Sequence, residues 1–113
     1  MKNKTLIVAG AALLSMVSLS AQAAGDYAAG EKKAKEVCSA CHGADGNSPS
    51  GAFPKLAGQW ESYIAAAIHE YKSGQRKNPI MAPQAANLSE QDIADVATFF
   101  SQQNAVLGTL PSN

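Results

Sequence analysis

The chain has 113 residues; its nine basic and nine acidic side chains cancel to a formal net charge of zero, and 46% of it is hydrophobic against 16% charged. That composition excludes an intrinsically disordered chain and a strongly basic nucleic-acid binder, and the length leaves room for one small domain.

The first two dozen residues read as an export signal. Lys2 and Lys4 make a positive start, Leu6 to Leu19 is apolar apart from small residues, and Ala21-Gln22-Ala23 carries the small-x-small pattern of a signal-peptidase site. The apolar run is shorter than the roughly 20 residues that a membrane-spanning helix needs. Residues 1–23 are therefore expected to be a cleaved signal peptide, with cleavage after Ala23 or Ala24. Residues 24–113 then form a domain exported to the periplasm without a stable membrane anchor. The first cysteine is Cys38, so no lipid attachment is encoded beside the cleavage site. Losing Lys2 and Lys4 leaves nine acidic side chains against seven basic ones. Such a mild balance allows local steering toward a partner but no electrostatic grip on nucleic acid. A domain this small with few aromatic residues usually needs a disulfide, a metal or a cofactor to complete its core.

Asp26 is expected to cap a first helix from Tyr27 to about Val37, with Gly30, Ala34 and Val37 on one face. Gly30 costs that helix about 1 kcal/mol relative to Ala. A close helix crossing would account for it; so would a tolerated glycine near a helix start. A second helix is expected from about Trp60 to Ser73, ended by Gly74, with Trp60, Ile64, Ala67, Ile68 and Tyr71 as its buried stripe. Ser89-Glu90-Gln91-Asp92 has the spacing of a capping box. It opens a third helix in which Ile93, Val96, Ala97 and Phe100 share a face up to about Gln103. Gly43 to Gly58 and Gly74 to Leu88, rich in Gly, Pro, Asn and Ser, read as long loops. No stretch alternates with period two for long enough to make a strand, so the expected fold is all-α, with three main helices.

The chemistry is concentrated in Cys38-Ser39-Ala40-Cys41-His42, which holds both cysteines of the chain. A C-x-x-C-H pentad suits covalent haem attachment for a geometric reason. Thiols three residues apart on one helical turn face the same way and can meet two vinyl groups, while the adjacent imidazole projects toward the iron. Three other readings compete. A disulfide here would close a very short loop and stabilise little. A thioredoxin-like redox pair would need a βαβ context that the pattern lacks. A zinc site would need a fourth ligand beyond Cys38, Cys41 and His42, and only His69 is left to supply it.

If His42 takes one side of the iron, Met81 is the candidate for the other. Met1 and Met16 leave with the signal peptide, and Met81 lies in Asn78-Pro79-Ile80-Met81-Ala82-Pro83. The flanking prolines are expected to forbid regular helix and to present the thioether with little ordering cost. A methionine filling a core gap is the alternative. His69 competes for the same role, but its helix face is small and polar, which makes it a surface residue.

In this order the motifs resemble those of the class I c-type cytochromes, above all the small bacterial periplasmic monohaem proteins similar to one half of the two-haem c-four kind. The resemblance runs from Gly25 to about Gln103, through Gly30, the pentad, Gly43-Ala44-Asp45-Gly46, Phe53-Pro54-Lys55-Leu56-Ala57-Gly58-Gln59, Arg76 to Met81 and the aromatic last helix. It implies a compact cytochrome c fold wrapped around one covalently bound haem c. It implies that the Pro54 carbonyl accepts a hydrogen bond from Nδ1–H of His42, that Leu56 packs on the haem, and that Gly30 meets Phe99 or Phe100 where the first and last helices cross. Gln59, Trp60, Tyr63 and Arg76 are its candidates for the haem propionates. With a single pentad there is no relay between two haems, and the dense lysine ring of mitochondrial relatives is missing.

The expected function is outer-sphere transfer of single electrons through a His42/Met81-ligated haem, not catalysis. The expected partners are membrane-bound and soluble redox proteins that dock transiently on a rim formed by Ser48 to Ala52 and Ala82 to Ala86; no nucleic acid is involved and the protein is a monomer. Two other classes remain: a haem subunit of a larger dehydrogenase or oxidase complex, and a ligand-binding haem protein with an open iron position.

Overall fold

Asp26 turns the chain into its first helix. In the computed structural model, which describes residues 24–106, its side chain accepts a hydrogen bond from the Ala29 N–H at 2.7 Å and caps α1 (Tyr27–Lys33). The expected signal peptide lies outside the described residues. The helical run does not end near Val37 as the sequence suggests. A π-helical turn (Ala34–Cys38) and α2 (Ser39–His42) carry it on to His42. Nothing between Lys33 and His42 breaks a helix, and Ser39 Oγ donates to the Lys35 carbonyl at 2.8 Å. The chain leaves the run only at Gly43, where φ is +84°. The wider π turn rotates everything beyond it relative to the face of α1.

α3 (Glu61–Ser73) ends on Gly74 in the left-handed conformation, as expected. Ile64 and Ile68 form its buried stripe, but Trp60 does not join them: it is 79% exposed. It stands at the cap position with extended backbone, so helical periodicity does not govern where its ring points.

The segment expected to be non-helical contains α4 (Met81–Ala86). Pro83 is the third residue of that helix. Its missing N–H is one that a first turn leaves without an intrahelical partner anyway, so proline permits the helix there instead of forbidding it. Ala85 is 0% exposed and anchors α4 in the core.

α5 (Glu90–Ser101) opens with the expected capping box. The Asp92 N–H donates to Ser89 Oγ at 3.0 Å and the Ser89 N–H donates to Asp92 Oδ2 at 2.9 Å. It stops two residues before Gln103, whose side chain turns back to donate to the Phe99 carbonyl at 2.9 Å. Ile93, Val96, Ala97 and Phe100 are all buried, with Ile64, Ile68, Ala85 and Leu88 packed against them. The described residues are all-helical with no strand.

The closest packing is between α1 and α5. A Cβ on Gly30 would stand 2.0 Å from the Asp95 carbonyl oxygen and 3.0 Å from Phe99 Cβ. The close crossing is therefore the reason for the glycine. Asp95 is buried beside it, and its carboxylate accepts from the Asp26 N–H and from Gln91 Nε2, both at 2.7 Å.

Gly30→Ala should destabilise the fold by about 3 kcal/mol, because only separation of α1 and α5 relieves the clash; a parental midpoint in chemical denaturation would refute the crossing. The Asp92 carboxyl is held below the usual carboxylate range, chiefly by the Ser89 N–H. Its folded value lies below its unfolded one, so the stability it contributes is present above the ordinary value near 4 and lost as the pH falls through the lowered value. Asp92→Asn should therefore be less stable than the parent near neutral pH, with the gap closing in acid, as denaturation curves at several pH values would record.

Candidate functional site

The extended helical run delivers three functional side chains to one place. Cys38 closes the π turn, and Cys41 and His42 lie in α2. Both thiols are unbridged and half-buried, whereas His42 is only 7% exposed. His42 Nδ1 lies 2.8 Å from the Pro54 carbonyl oxygen. A carbonyl can only accept, so Nδ1 carries the proton and Nε2 holds the ring's lone pair. This is the partnership that the resemblance implied.

Pro54 reaches His42 because its loop is pinched. The Leu56 and Ala57 N–H groups donate to the Gly46 carbonyl at 2.8 and 3.2 Å, and the Gly58 N–H donates to the Phe100 carbonyl at 2.9 Å. Gly46 has φ +81°, and a Cβ there would lie 2.8 Å from both the Ala57 nitrogen and the Phe100 ring. Only glycine fits at that point. Ser48 Oγ donates to the Ser50 carbonyl at 2.8 Å, and the Phe53 ring stands edge-on to the His42 imidazole at 6.5 Å.

Burial pushes the Cys38 thiol up to about 11, with nearby Lys33 opposing in part. A thiol so placed is protonated at neutral pH, unlike the low-pKa thiolate of a redox-active C-x-x-C pair. The thiols form no disulfide. Among the described residues no three His, Cys, Asp or Glu side chains converge to hold a metal ion. His69 instead faces Glu90, with Nε2 3.5 Å from Oε2. Of the readings of the pentad, haem attachment fits best: two free thiols one turn apart beside an imidazole with its tautomer fixed and Nε2 available.

Met81 is the first residue of α4 and is half-buried. Its N–H donates to Asn78 Oδ1 at 2.9 Å, and the Ile80 N–H donates to the same atom at 2.9 Å. Asn78, which caps the turn that carries Met81, is a residue that reasoning from the sequence passed over. Its signal was there, since an Asn followed by Pro readily turns its side chain back on the next residues' N–H groups. Leu56 is half-buried against the core. The four propionate candidates fall into two pairs. The Trp60 N–H donates to Gln59 Oε1 at 2.8 Å. Arg76 Nη1 donates to the Tyr63 hydroxyl at 3.4 Å, and the guanidinium stands 5.0 Å from the centre of the Tyr71 ring. The expected docking rim is narrower than the sequence suggested: Ser48 and Ala85 are buried and face inward. A groove of about 550 Å³ between α3 and α5, lined by Trp60, Ala65, His69, Gln91 and Ala97 among others, includes none of Cys38, Cys41, His42 or Met81.

A family model described as cytochrome c matches residues 27–104. Cytochrome c4 of Pseudomonas aeruginosa is 52% identical over 93 residues, which cover 82% of this chain and 46% of that one. Cytochrome c-554(548) of Halomonas halodenitrificans is 46% identical over 83 residues, 71% of this chain and 99% of that one. The crystal structure of reduced recombinant cytochrome c4 from Pseudomonas stutzeri superposes with a TM-score of 0.70 at 44% identity, covering 75% of this chain and 49% of that one. The chain thus spans about half the length of the c4 proteins it matches.

The His42 tautomer is directly testable. Nitrogen NMR of the reduced protein should show an Nδ1 proton protected from solvent exchange, with a cross-peak to Pro54. A rapidly exchanging Nδ1 proton, or one on Nε2, would refute the geometry.

Proposed function

Because the chain belongs to the cytochrome c family, whose domain carries a covalently attached haem c, we propose that this protein is an exported single-electron carrier. Cys38 and Cys41 hold the haem through thioethers, and His42 and Met81 hold its iron. The observation that carries this reading is the buried His42 imidazole, oriented by the Pro54 carbonyl beside two unbridged thiols. When bound, the haem supplies one iron that alternates between the ferric and ferrous states.

The chain's own residues account for the rest. The Pro54 carbonyl keeps the Nδ1 proton in place, so His42 would bind through Nε2 with a fixed ring plane and enhanced basicity. Met81 would contribute a soft thioether, which would favour the ferrous state relative to a second imidazole and leave no open position for a substrate or small ligand. Leu56 and the core around Phe100 keep water from the buried side. Tyr63, Trp60 and Ile80 are exposed apolar residues. The exposed, uncharged residues Ser50 to Ala52 would offer part of a rim on which another redox protein can dock briefly, as small redox interfaces do.

The export signal in residues 1–23 supports a periplasmic location for the domain from residue 24 onward. Among the described residues no helix is long and apolar enough to cross a membrane. A 39% identity over 102 residues to the thiosulfate dehydrogenase electron acceptor of Stutzerimonas stutzeri favours one second reading, in which the domain works as the haem subunit of a larger redox assembly. Co-purification with a large partner chain would favour that reading, and a monomer that exchanges electrons by collision would favour the first.

The optical spectrum of the exported protein should give a pyridine haemochrome diagnostic of two thioethers, and the reduced form should not bind carbon monoxide rapidly. Met81→Ala should keep its haem, lower the potential by on the order of 0.1 V, a fraction of the roughly 0.8 V that axial ligands span, and admit carbon monoxide. An unchanged potential and an iron still closed to carbon monoxide would remove Met81 from the iron.

A further inference from the structure

We propose that Asn78 is the positioning residue for the thioether ligand, holding Met81 in place through the backbone of the first turn of α4. The inference rests on the assignment of Met81 to the iron and extends it to a residue that touches neither the iron nor the thioether.

The first donors of a helix have no partner within it, and their fate decides how firmly that end is fixed. Here Asn78 accepts from all of them that exist. Its Oδ1 accepts from the Ile80 N–H and the Met81 N–H, each at 2.9 Å. Its backbone carbonyl accepts from the Ala82 N–H at 3.0 Å. The next residue is Pro83, which has no N–H. Pro79 stiffens the link between Asn78 and the turn it caps. A single residue therefore governs the backbone on which Met81 is mounted, and its side chain accepts two of the three bonds.

The far end of the segment is held differently. Ala85 and Leu88 are buried in the core, and Lys72 Nζ on α3 donates to the Leu88 carbonyl. With that end fixed to α3, loss of the Asn78 side chain frees only the near end, where Ile80 is exposed and Met81 half-buried. A bond between a thioether and iron is weak, so the opening of this turn sets how often an external ligand can compete for the iron. An external ligand that binds only the open form has an apparent affinity scaled by the fraction of open molecules. Removing a side-chain cap shifts a local equilibrium about fivefold.

The test is titration of the oxidised holoprotein with imidazole, followed optically, together with the pH at which the weak far-red absorption of thioether-ligated ferric haem disappears. Asn78→Ala should bind imidazole about fivefold more tightly than the parent and lose the band at lower pH. Asn78→Gln, which keeps the amide but moves the acceptor by one methylene, should shift both in the same direction. Asn78→Asp, which keeps an acceptor at the same reach, should return both toward the parent. Ser89→Ala removes a comparable cap from α5 without touching the Met81 turn, so it should lower global stability and leave imidazole affinity unchanged. Parental imidazole affinity in Asn78→Ala, or an equal shift in Ser89→Ala, would overturn the proposal while leaving Met81 on the iron. A parent protein with no far-red band, binding imidazole as tightly as Met81→Ala does, would overturn the ligand assignment and this inference with it.

Discussion

The crossing of α1 over α5 at Gly30 sets the rest of the molecule. With the Asp95 carbonyl 2.0 Å from where a Cβ would be, no other residue lets the two backbones meet so closely, and the approach fixes the axis along which the first helical run travels. That run ends at His42. The other partner of the crossing, α5, carries Phe100, whose ring lies under Gly46 and whose carbonyl receives the Gly58 N–H. One helix pair thus positions both the imidazole and the loop that brings the Pro54 carbonyl to it. Burying Asp95 at this point is tolerable because its carboxylate is paired with the Asp26 N–H and the Gln91 amide.

The two sides of the proposed iron site are built on different physical terms. His42 is buried, fixed by a carbonyl on a loop tied to the main core, and can move only if the Gly46 pinch and the α1–α5 crossing also move. Met81 is half-buried at the start of a helix of six residues, held at its near end by local hydrogen bonds. Helices this short have little stability of their own and depend on capping and on tertiary anchoring. The histidine side shares in the cooperative stability of the fold, and the thioether side can open in a smaller local unit.

Much of the fold was legible in the sequence where a local pattern is also the physical cause. The Ser89/Asp92 capping box, the Asp26 cap and the glycine stop after α3 are self-contained devices whose residues lie within three or four positions of one another. The pentad is equally local, because its thiols and imidazole act from one turn. Two of the features that escaped it lack such a signature. The π turn leaves no mark in residue type, and Trp60 sits one residue before its helix, where periodicity no longer applies. The reading of α4 was misled by proline, which excludes a helix interior but is at home in a first turn. The Asn78 cap went unseen for the same reason: a segment taken as irregular has no helix start to cap.

That asymmetry suits a carrier of single electrons. Changing the iron's charge without breaking a bond requires ligands that do not rearrange, and the imidazole, locked by Pro54 and the core, contributes rigidity without further help. The proposed thioether ligand would contribute electronic softness, and its rigidity would have to be supplied by the chain around it: Asn78 at one end, the Lys72 bond to the Leu88 carbonyl at the other. The Leu88 end belongs to the same core as Phe100, whereas the Asn78 anchor lies outside it. The stiffness of the second ligand can therefore be adjusted by substitutions outside the core, with the fold and the haem-attachment pentad left as they are.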